Sequence, residues 1–419
     1  MSNNPSLDTL LQRAMQTSGT PIQLGLERTE RLLEQLDNPE KGVNTIHVAG
    51  TNGKGSVVAF MEAILLKAGL RVGAYTSPHL HHFCERVRIN GQAVAEEEMA
   101  NHLAQVMELP GAEEATFFER TTVAAFQCFH QHPLDWLLLE TGLGGRLDAT
   151  NVVQSRLSII TAIGLDHQDY LGESLLEIAW EKAGILKPHT PAAIDPGSPR
   201  AEAILRVTAA GRRAPLISRG REYDYRIHGQ GWIFKDGKGT LTLPMPNLLG
   251  NHQVANAALA IAGLRAIAGL DINEEAIRYG ITHAHWPGRL ELVAGTPTIW
   301  LDGAHNPQAA QALAASMPAL APPPYTLVYS ALADKDHMAM AEALAPITRE
   351  VHLCTLDEPR AADPARIAAA WKVKNIPTFI HASPQLAVLT ARHRTPADGV
   401  VLVTGSLHLV GTVRSEWLS

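Results

Sequence analysis

Along most of the chain, short apolar runs alternate with longer stretches of helical periodicity, the pattern of parallel strands joined by covering helices. In the first half, residues 45–49, 136–139 and 157–163 read as buried strands and 57–68 as a helix, with glycine-rich and polar loops between them. Residues 223–243 alternate polar and apolar positions around Asp236-Gly237, which predicts a hairpin at the edge of this first unit. A helix follows over 252–268. The segment 286–297 then carries Pro287, Gly288, Gly295 and Pro297, and a fresh strand-helix series begins after it, so a domain boundary is placed there, at 288/289. The new series has strands at 298–301, 325–329, 350–354 and 399–403 and helices at 337–345 and 364–371, resembling a small doubly wound domain of about five strands. The expected fold class is α/β, with domains 1–288 and 289–419.

The length of 419 residues suits two or three domains at about 150 residues each, enough for a substantial core without disulfide staples. A net charge of −7 removes the usual electrostatic footprint of a nucleic-acid binder. Cys84, Cys128 and Cys354 are far apart and form no Cys-x-x-Cys pair, so neither a disulfide framework nor a thiolate metal site is indicated, and a reducing compartment fits. Residues 1–16 are polar, carry Asp8 and Arg13, and do not read as a secretory leader. The most apolar helical stretch, 255–270, is broken by Arg265 and falls short of the roughly 20 residues that span a bilayer. A cytoplasmic protein with neither nucleic-acid nor membrane partners is expected.

The sharpest local feature is the run His47-Val48-Ala49-Gly50-Thr51-Asn52-Gly53-Lys54-Gly55-Ser56, which follows a predicted strand and opens a predicted helix. Its glycines let backbone N–H groups converge on an anion, the helix N-terminus adds partial positive charge, Lys54 can bridge phosphates and the Ser56 hydroxyl can ligate Mg²⁺. The spacing departs from the general phosphate-loop pattern, because Gly55 separates the lysine from the hydroxyl residue. A plain glycine turn at a strand end is the alternative.

Magnesium asks for hard oxygen ligands. The run LLLETGLGGR at 137–146 is a buried strand ending in Glu140, a charge that is costly to bury unless paired or bound to metal. A helix-capping or salt-bridged glutamate is the other reading. The cluster GLDHQD at 164–169 follows another strand, where ligands collect in open α/β sheets, and its His167 reads as a metal ligand or a loop histidine. His79, His81 and His82 lack acidic or thiolate partners in helical register and make a poor zinc site.

Taken together, these segments resemble the folylpolyglutamate synthase and dihydrofolate synthase family, itself related to the Mur ligases. The resemblance runs in family order through LGLER at 24–28, AGTNGKGS at 49–56, TSPHL at 76–80, GLGGRLDATN at 142–151 and EKAGI at 181–185. It continues through NHQ at 251–253 with Asn256, PGRLE at 287–291, LDGAHNP at 301–307 and TGSLH at 404–408. It implies a P-loop-containing, Mur-ligase-like N-terminal domain for ATP, Mg²⁺ and pterin, and a smaller Rossmann-like C-terminal domain that completes the ATP and glutamate site. The implied activity is ATP-dependent ligation of L-glutamate to dihydropteroate and to the glutamyl tail of reduced folates, through an acyl phosphate. The length, the 20–24 region and the FFE run at 117–119 look like bacterial bifunctional members, so both activities are expected, in a monomer.

The same resemblance puts Asn52, Gly53, Lys54, Gly55 and Ser56 on the ATP phosphates. It puts Ser56, Ser77 and Glu140 on Mg²⁺, and His167 with Glu140 on a second Mg²⁺. Lys182 corresponds to a lysine carbamylated by CO₂, which turns a cation into an anion beside the metal. A surface lysine paired with Glu181 or Glu177 is the alternative. Asn256, Arg289 and Asp302 fall on the nucleotide and His305 beside the reacting phosphate, so ATP is expected between the domains, whose closure would exclude water. For the pterin, the resemblance points to the region from Thr20 through Ile22, Gln23 and Leu24, and to Phe118, Glu119, Thr121, Thr122 and Asp148. By residue type Phe118 also reads as plain core, and Arg120 has no assigned role.

Four other readings stand beside this one. A Mur-type ligase acting on another carboxylate lacks support from the SPHL and GLGGRLDATN runs, and a folylpolyglutamate synthase without the dihydrofolate activity would share every motif. A phosphoryl-transfer enzyme or ATP-driven switch leaves the 302–307 motif unexplained. A non-catalytic ATP-binding module leaves the metal ligands and Lys182 without a task.

Overall fold

In the computed structural model, which describes residues 5–16, 22–293 and 295–417, the run NTIHVA forms strand β1 (Asn44–Ala49). It is joined in one eight-stranded sheet by β2 (Val72–Tyr75), β3 (Val87–Ile89), β4 (Gln92–Ala93), β5 (Trp136–Glu140), β6 (Leu157–Ile160), β7 (Ala192–Ile194) and β8 (Leu216–Ser218), in the order β4-β3-β2-β5-β1-β6-β7-β8. All of these pairings are parallel except at the β2-β3-β4 edge, which turns back antiparallel. From β1 the chain moves to one side of the sheet for β2 and β5 and later to the other for β6. The loops after β1, β5 and β6 therefore lie at a topological switch point, where open sheets hold ligands.

Strands such as WLLLE are buried throughout and apolar up to the terminal Glu140, because a parallel sheet is covered on both faces. Tyr75, Leu137 and Leu139 pack with residues of the helices Leu7–Gln16, Glu27–Glu34, Glu96–Met107 and Phe117–His130. Ala49, Ile160 and Ile163 belong to a second cluster with Ile178, Leu186 and Leu205. The helix that follows β1 spans Lys54–Lys67 and starts three residues before the predicted position, because Gly53 serves as its N-cap.

Two sequence expectations change. The strand expected over 157–163 stops at Ile160, since Thr161 and Ala162 leave the ladder to bond the phosphate loop: Thr161 Oγ1 donates to Asn52 O at 2.7 Å, and Thr51 and Asn52 N–H groups donate to Ala162 O at 2.8 and 3.2 Å. Residues 223–243 form two hairpins rather than one, in a three-stranded antiparallel sheet of their own: β9 (Tyr223–His228), β10 (Gly231–Asp236) and β11 (Gly239–Pro244). Its alternation buries Trp232, Phe234 and Leu243 on one face, and Asp236 pairs at 2.7 Å with Arg265, the charge that interrupts the apolar helix Asn251–Ala266.

The second sheet has six strands, in the order β12-β13-β17-β14-β15-β16: β12 (Glu291–Val293), β13 (Thr298–Leu301), β14 (Tyr325–Tyr329), β15 (Thr348–Cys354), β16 (Thr378–His381) and β17 (Val400–Thr404). Only β12 is antiparallel to its neighbour. β12 and β16 lack a continuous apolar run because each is an edge strand with part of its surface exposed. Leu327, Tyr329 and Leu402 pack with Trp371 and Met340 in the core of this sheet.

The chain divides into two compact units. One holds the chain through Ile163, Leu171–Asn247 and Val254–Ala284; the other holds His285 onward with the short segments Gly164–Tyr170 and Leu248–Gln253. Among the described residues, no helix is long and apolar enough to cross a membrane.

Candidate active site

In the first unit the phosphate loop is shaped by two glycines. Gly50 has φ +153°, and a Cβ on it would stand 1.8 Å from Thr161 Oγ1. Gly53, at φ +89°, would place a Cβ 2.5 Å from Asn256 Oδ1, so Asn256 lies directly against the turn that opens the helix. Lys54, Gly55 and Ser56 form the first turn, which contains no acidic side chain to compete with an anion for the orphan N–H groups. Lys54 folds back over the loop, donating to Gly50 O at 3.2 Å and Thr51 O at 3.4 Å, with its Nζ 3.8 Å from Glu140 Oε1.

Glu140 ends β5 with its carboxylate almost wholly buried, and Ser77 N–H, just after β2, donates to Oε2 at 3.4 Å. With the Lys54 ammonium 3.8 Å away it is a salt-bridged carboxylate at a strand end. The Ser56 and Ser77 hydroxyls and this carboxylate are the hard oxygen donors that Mg²⁺ prefers, so these residues fit the metal that the phosphate loop implies. Lys182 is only 4% exposed and donates to Gly50 O at 2.9 Å, which removes the surface-lysine reading. The partners that reading offered are otherwise engaged, Glu181 with Arg146 at 2.9 Å and Glu177 in the capping box with Ser174.

An aromatic patch adjoins this loop system. Phe118 is half-buried, and its ring covers Gly142, where a Cβ would fall 2.4 Å from the ring. The Tyr75 ring lies 6.1 Å away, and its hydroxyl bonds Thr122 Oγ1 at 3.1 Å. Thr121 turns its hydroxyl to the helix carbonyls of Phe117 and Phe118. Glu119 is buried, caps its own helix through Thr116 N–H at 2.7 Å, and accepts a fork from Arg28 at 2.7 and 3.0 Å. Arg28 also donates to Gln23 O at 2.8 Å and so ties the strip Ile22, Gln23 and Leu24 to the Phe118 helix; Thr20 and Pro21 lie outside the described residues. Asp148 accepts from the Leu143 and Thr150 N–H groups at 2.8 and 3.0 Å and from the Thr150 hydroxyl, so it braces the GLGGRLDATN loop. Arg120 is buried with its guanidinium on Ala115 O.

In the second unit, Asp302 follows β13 and uses both carboxylate oxygens on backbone, taking Leu290 N–H and Ala304 N–H at 2.9 Å each. This clasps the Arg289 segment to the LDGAHNP loop, and Gly303 N–H donates to Gly288 O at 2.8 Å. His305 Nδ1 donates to Gly303 O at 2.9 Å, leaving Nε2 3.6 Å from Asp166. Asp166 also pairs with Lys335 at 2.5 Å and accepts from Asn306 Nδ2 at 3.2 Å. Burial would raise the Asp166 carboxyl, but the nearby His305 imidazole and the charges of His167 and Lys335 outweigh it and hold the group well below the usual carboxylate range. Burial, together with Lys335 and His305, lowers His167 to about 4, which leaves its imidazole neutral, the form that ligates metals.

Sequence reasoning named Asp166 only as part of a polar cluster and Arg28 only within the LGLER run, and missed Lys335; each cation lies far in sequence from its partner. The histidine trio makes no metal centre, since His79 Nδ1 accepts from Arg86 Nε at 2.9 Å and the one grouping of three or more metal-ligating atoms among the described residues lies elsewhere.

A phosphate loop on a parallel sheet, followed by a second doubly wound sheet, defines the architecture of a Mur ligase. Residues 48–264 match the Mur ligase middle domain, and residues 288–407 match the Mur ligase glutamate ligase domain. The chain is 36% identical over 414 residues to the dihydrofolate synthase/folylpolyglutamate synthase of Bacillus subtilis, covering 94% of this chain and 95% of that protein. It is 38% identical to the Escherichia coli protein of the same name, covering 94% and 91%. The structure of E. coli FolC in complex with DHPP and ADP superposes with a TM-score of 0.91 at 36% identity, covering 98% of this chain and 97% of that one. The bifunctional enzyme of Yersinia pestis complexed with AMPPNP and Mn gives 0.90 at 37%, covering 99% and 98%. The chain belongs to the dihydrofolate synthase/folylpolyglutamate synthase family of Mur ligases.

Proposed function

We propose that this chain is an ATP-dependent ligase that joins L-glutamate to dihydropteroate and to the glutamyl tail of reduced folates. One observation carries the reading: Lys54, Ser77 and Glu140 meet at the ends of β1, β2 and β5, with the Phe118 ring over the loop that leaves Glu140. The arrangement offers a phosphate cradle and a flat apolar surface on consecutive loops of one sheet.

A carboxylate does not react with an amine directly, because oxide is a poor leaving group. The acceptor carboxylate oxygen instead attacks the γ-phosphorus of ATP, ADP departs, and an acyl phosphate forms. The glutamate amine then attacks the acyl carbon, loses a proton, and expels inorganic phosphate as the amide forms. The N–H groups of Gly53, Gly55 and Ser56 and the Lys54 ammonium, on the loop that Asn52 helps to hold, would neutralise the phosphoryl group in transfer. Ser56, Ser77, Glu140 and His167 would hold Mg²⁺ at up to two positions, and bound Mg²⁺ would supply charge neutralisation for the phosphates. Lys182, as a carbamate, would replace a second cation at Gly50 with an anion beside the metal.

The domain from 289 onward would complete the site. Arg289 offers a charged fork to phosphate, Asp302 holds the Arg289 segment in place, Asn256 meets the nucleotide from the first unit's helix, and His305 contacts the reacting phosphate or the incoming glutamate. For the pterin, Phe118 would cover the ring while Gln23, Ile22, Leu24, Thr121 and Thr122 line its surroundings, with Glu119 and Asp148 holding the strip and the loop that carry them. We place the enzyme in the cytoplasm as a monomer.

The test is ADP release with Mg²⁺, ATP and L-glutamate, comparing dihydropteroate, tetrahydrofolate and no acceptor. Release with both acceptors supports the bifunctional reading, and release with tetrahydrofolate alone assigns polyglutamylation only. Release with neither overturns the folate assignment and leaves a Mur-type ligase for another carboxylate.

A further inference from the structure

A second cluster of ligating side chains lies where helices Glu96–Met107 and Phe117–His130 pack together, and neither the phosphate loop nor the aromatic patch uses it. Glu98 and His102 are one turn apart on the first helix, and Cys128 and His132 are spaced alike at the end of the second. The Cys128 thiol donates to Glu98 Oε1 at 3.3 Å, and the same oxygen lies 2.8 Å from His132 Nε2. The sulfur, oxygen and nitrogen all fall within 4.8 Å of one another.

Two further observations point to a ligand. His102, one turn from Glu98, is 4% exposed and its Nδ1 is buried without a hydrogen-bond partner, so a polar atom beside the cluster is left for a ligand or a water to satisfy. With Glu98 it lines a polar recess that also includes Asn101, Gln105 and Gln131, and the half-exposed Glu98 and His132 give an ion a way in. Second, the buried Cys128 sulfur and the His132 Nε2 converge on the same Glu98 oxygen, so a soft sulfur, an imidazole nitrogen and a hard oxygen face one point. A coordinating thiol is deprotonated outright, so a bound cation would take the place of the thiol proton between sulfur and carboxylate.

We infer that Glu98, Cys128 and His132, with water in the fourth position, bind a divalent transition ion of borderline softness, with Zn²⁺ the best match. Bonds of about 2.3 Å to sulfur and about 2.0–2.2 Å to nitrogen and oxygen put tetrahedral ligand atoms about 3.3–3.6 Å apart, so the distances of 3.3 and 2.8 Å from Glu98 Oε1 to the sulfur and to the nitrogen lengthen by a few tenths of an ångström on binding. Thiolate and imidazole ligands disfavour Mg²⁺ and Ca²⁺. On binding, the Cys128 S–H bond breaks, the sulfur–metal bond forms and one proton leaves to solvent. The ion would pin the C-terminal end of the helix whose first turn carries Phe118, roughly 15 Å away at 1.5 Å per residue.

The experiment is titration of the metal-stripped full-length chain with Co²⁺ in the presence of excess Mg²⁺, read by absorption. The expected result is one equivalent bound with a thiolate-to-cobalt charge-transfer band and tetrahedral d–d bands, displaced by Zn²⁺. His132→Gln, a half-exposed position, should weaken binding about tenfold or more, and Cys128→Ser should abolish the charge-transfer band. Cys84→Ser and Cys354→Ser should leave it unchanged. Absence of the band in the wild-type chain, or its persistence in both the Cys128 and His132 variants, overturns the proposal.

Discussion

Lys54 and Lys182 donate to the same oxygen: the Gly50 carbonyl accepts from their ammonium groups at 3.2 and 2.9 Å. Two like charges on one backbone acceptor repel, and the second is buried. Converting Lys182 to a carbamate removes the repulsion and leaves Lys54 as the single cation on the loop. The prediction separates charge from carbamate. Lys182→Ala should lower kcat by about tenfold or more, and Lys182→Arg, which keeps a cation but cannot be carbamylated, should not restore it. Recovery of wild-type turnover by the arginine variant would show that the cation itself suffices.

Glu140→Gln keeps an oxygen for the Ser77 N–H at 3.4 Å and so preserves the local fold, but it removes the charge that a hard cation requires. Half-saturation by Mg²⁺ should rise about tenfold or more, with a fall in kcat at saturating metal. A metal titration that overlays the wild type would return Glu140 to a structural role.

Gly53 and Gly69 make an internal comparison, since both have positive φ, +89° and +82°, yet only Gly53 faces a neighbour. Alanine at Gly69 meets open space and should cost only backbone strain, about 1–2 kcal/mol. Alanine at Gly53 adds a collision with Asn256, so it should also weaken nucleotide binding about tenfold or more by displacing N–H groups aimed at phosphate. Equal nucleotide affinity in the two variants, measured by calorimetry, would contradict the cradle.

How much of this was legible in the sequence depends on whether the interacting residues are neighbours along the chain. The phosphate loop and the Glu140 strand end are contiguous runs whose chemistry shows in a window of ten residues. Thr161 could not be seen clasping Asn52, because its apolar neighbours read as continuing a strand. Lys335 reaches Asp166 from a position 169 residues away, and Arg28 reaches Glu119 across 91, with no local pattern to mark either pair. Edge strands β12 and β16 carry too little apolar alternation to stand out. For the same reason three scattered cysteines gave no sign of a metal cluster, since Glu98, Cys128 and His132 meet only once two helices pack.

Lys187 supplies a pH dependence outside the catalytic groups. It is 9% exposed, donates to Asn151 O and Oδ1 at 3.0 and 2.9 Å, and is pushed down by burial, then by Arg212, from 10.5 to about 8. Between those values the unfolded chain holds the proton and the folded chain does not, so folding stability gains as pH rises through about 8 to 10.5, by up to about 3 kcal/mol. Buried tyrosines such as Tyr329, pushed upward, act in the opposite direction above their ordinary value, so the contribution is isolated by difference. Urea unfolding of the wild type and Lys187→Met should diverge across this window, the variant lacking the gain. Parallel curves would contradict the assignment.

The central claim is that the acceptor carboxylate is phosphorylated before the amide forms, and one isotope measurement addresses it directly. Dihydropteroate labelled with oxygen-18 in its carboxylate is turned over with ATP, Mg²⁺ and L-glutamate, and the inorganic phosphate and the product are analysed by mass spectrometry. An acyl phosphate requires one labelled oxygen to pass into phosphate for each glutamyl unit added, and that is the predicted result. Glutamyl product formed with unlabelled phosphate would contradict the account, because the carboxylate oxygen would then have left by another route.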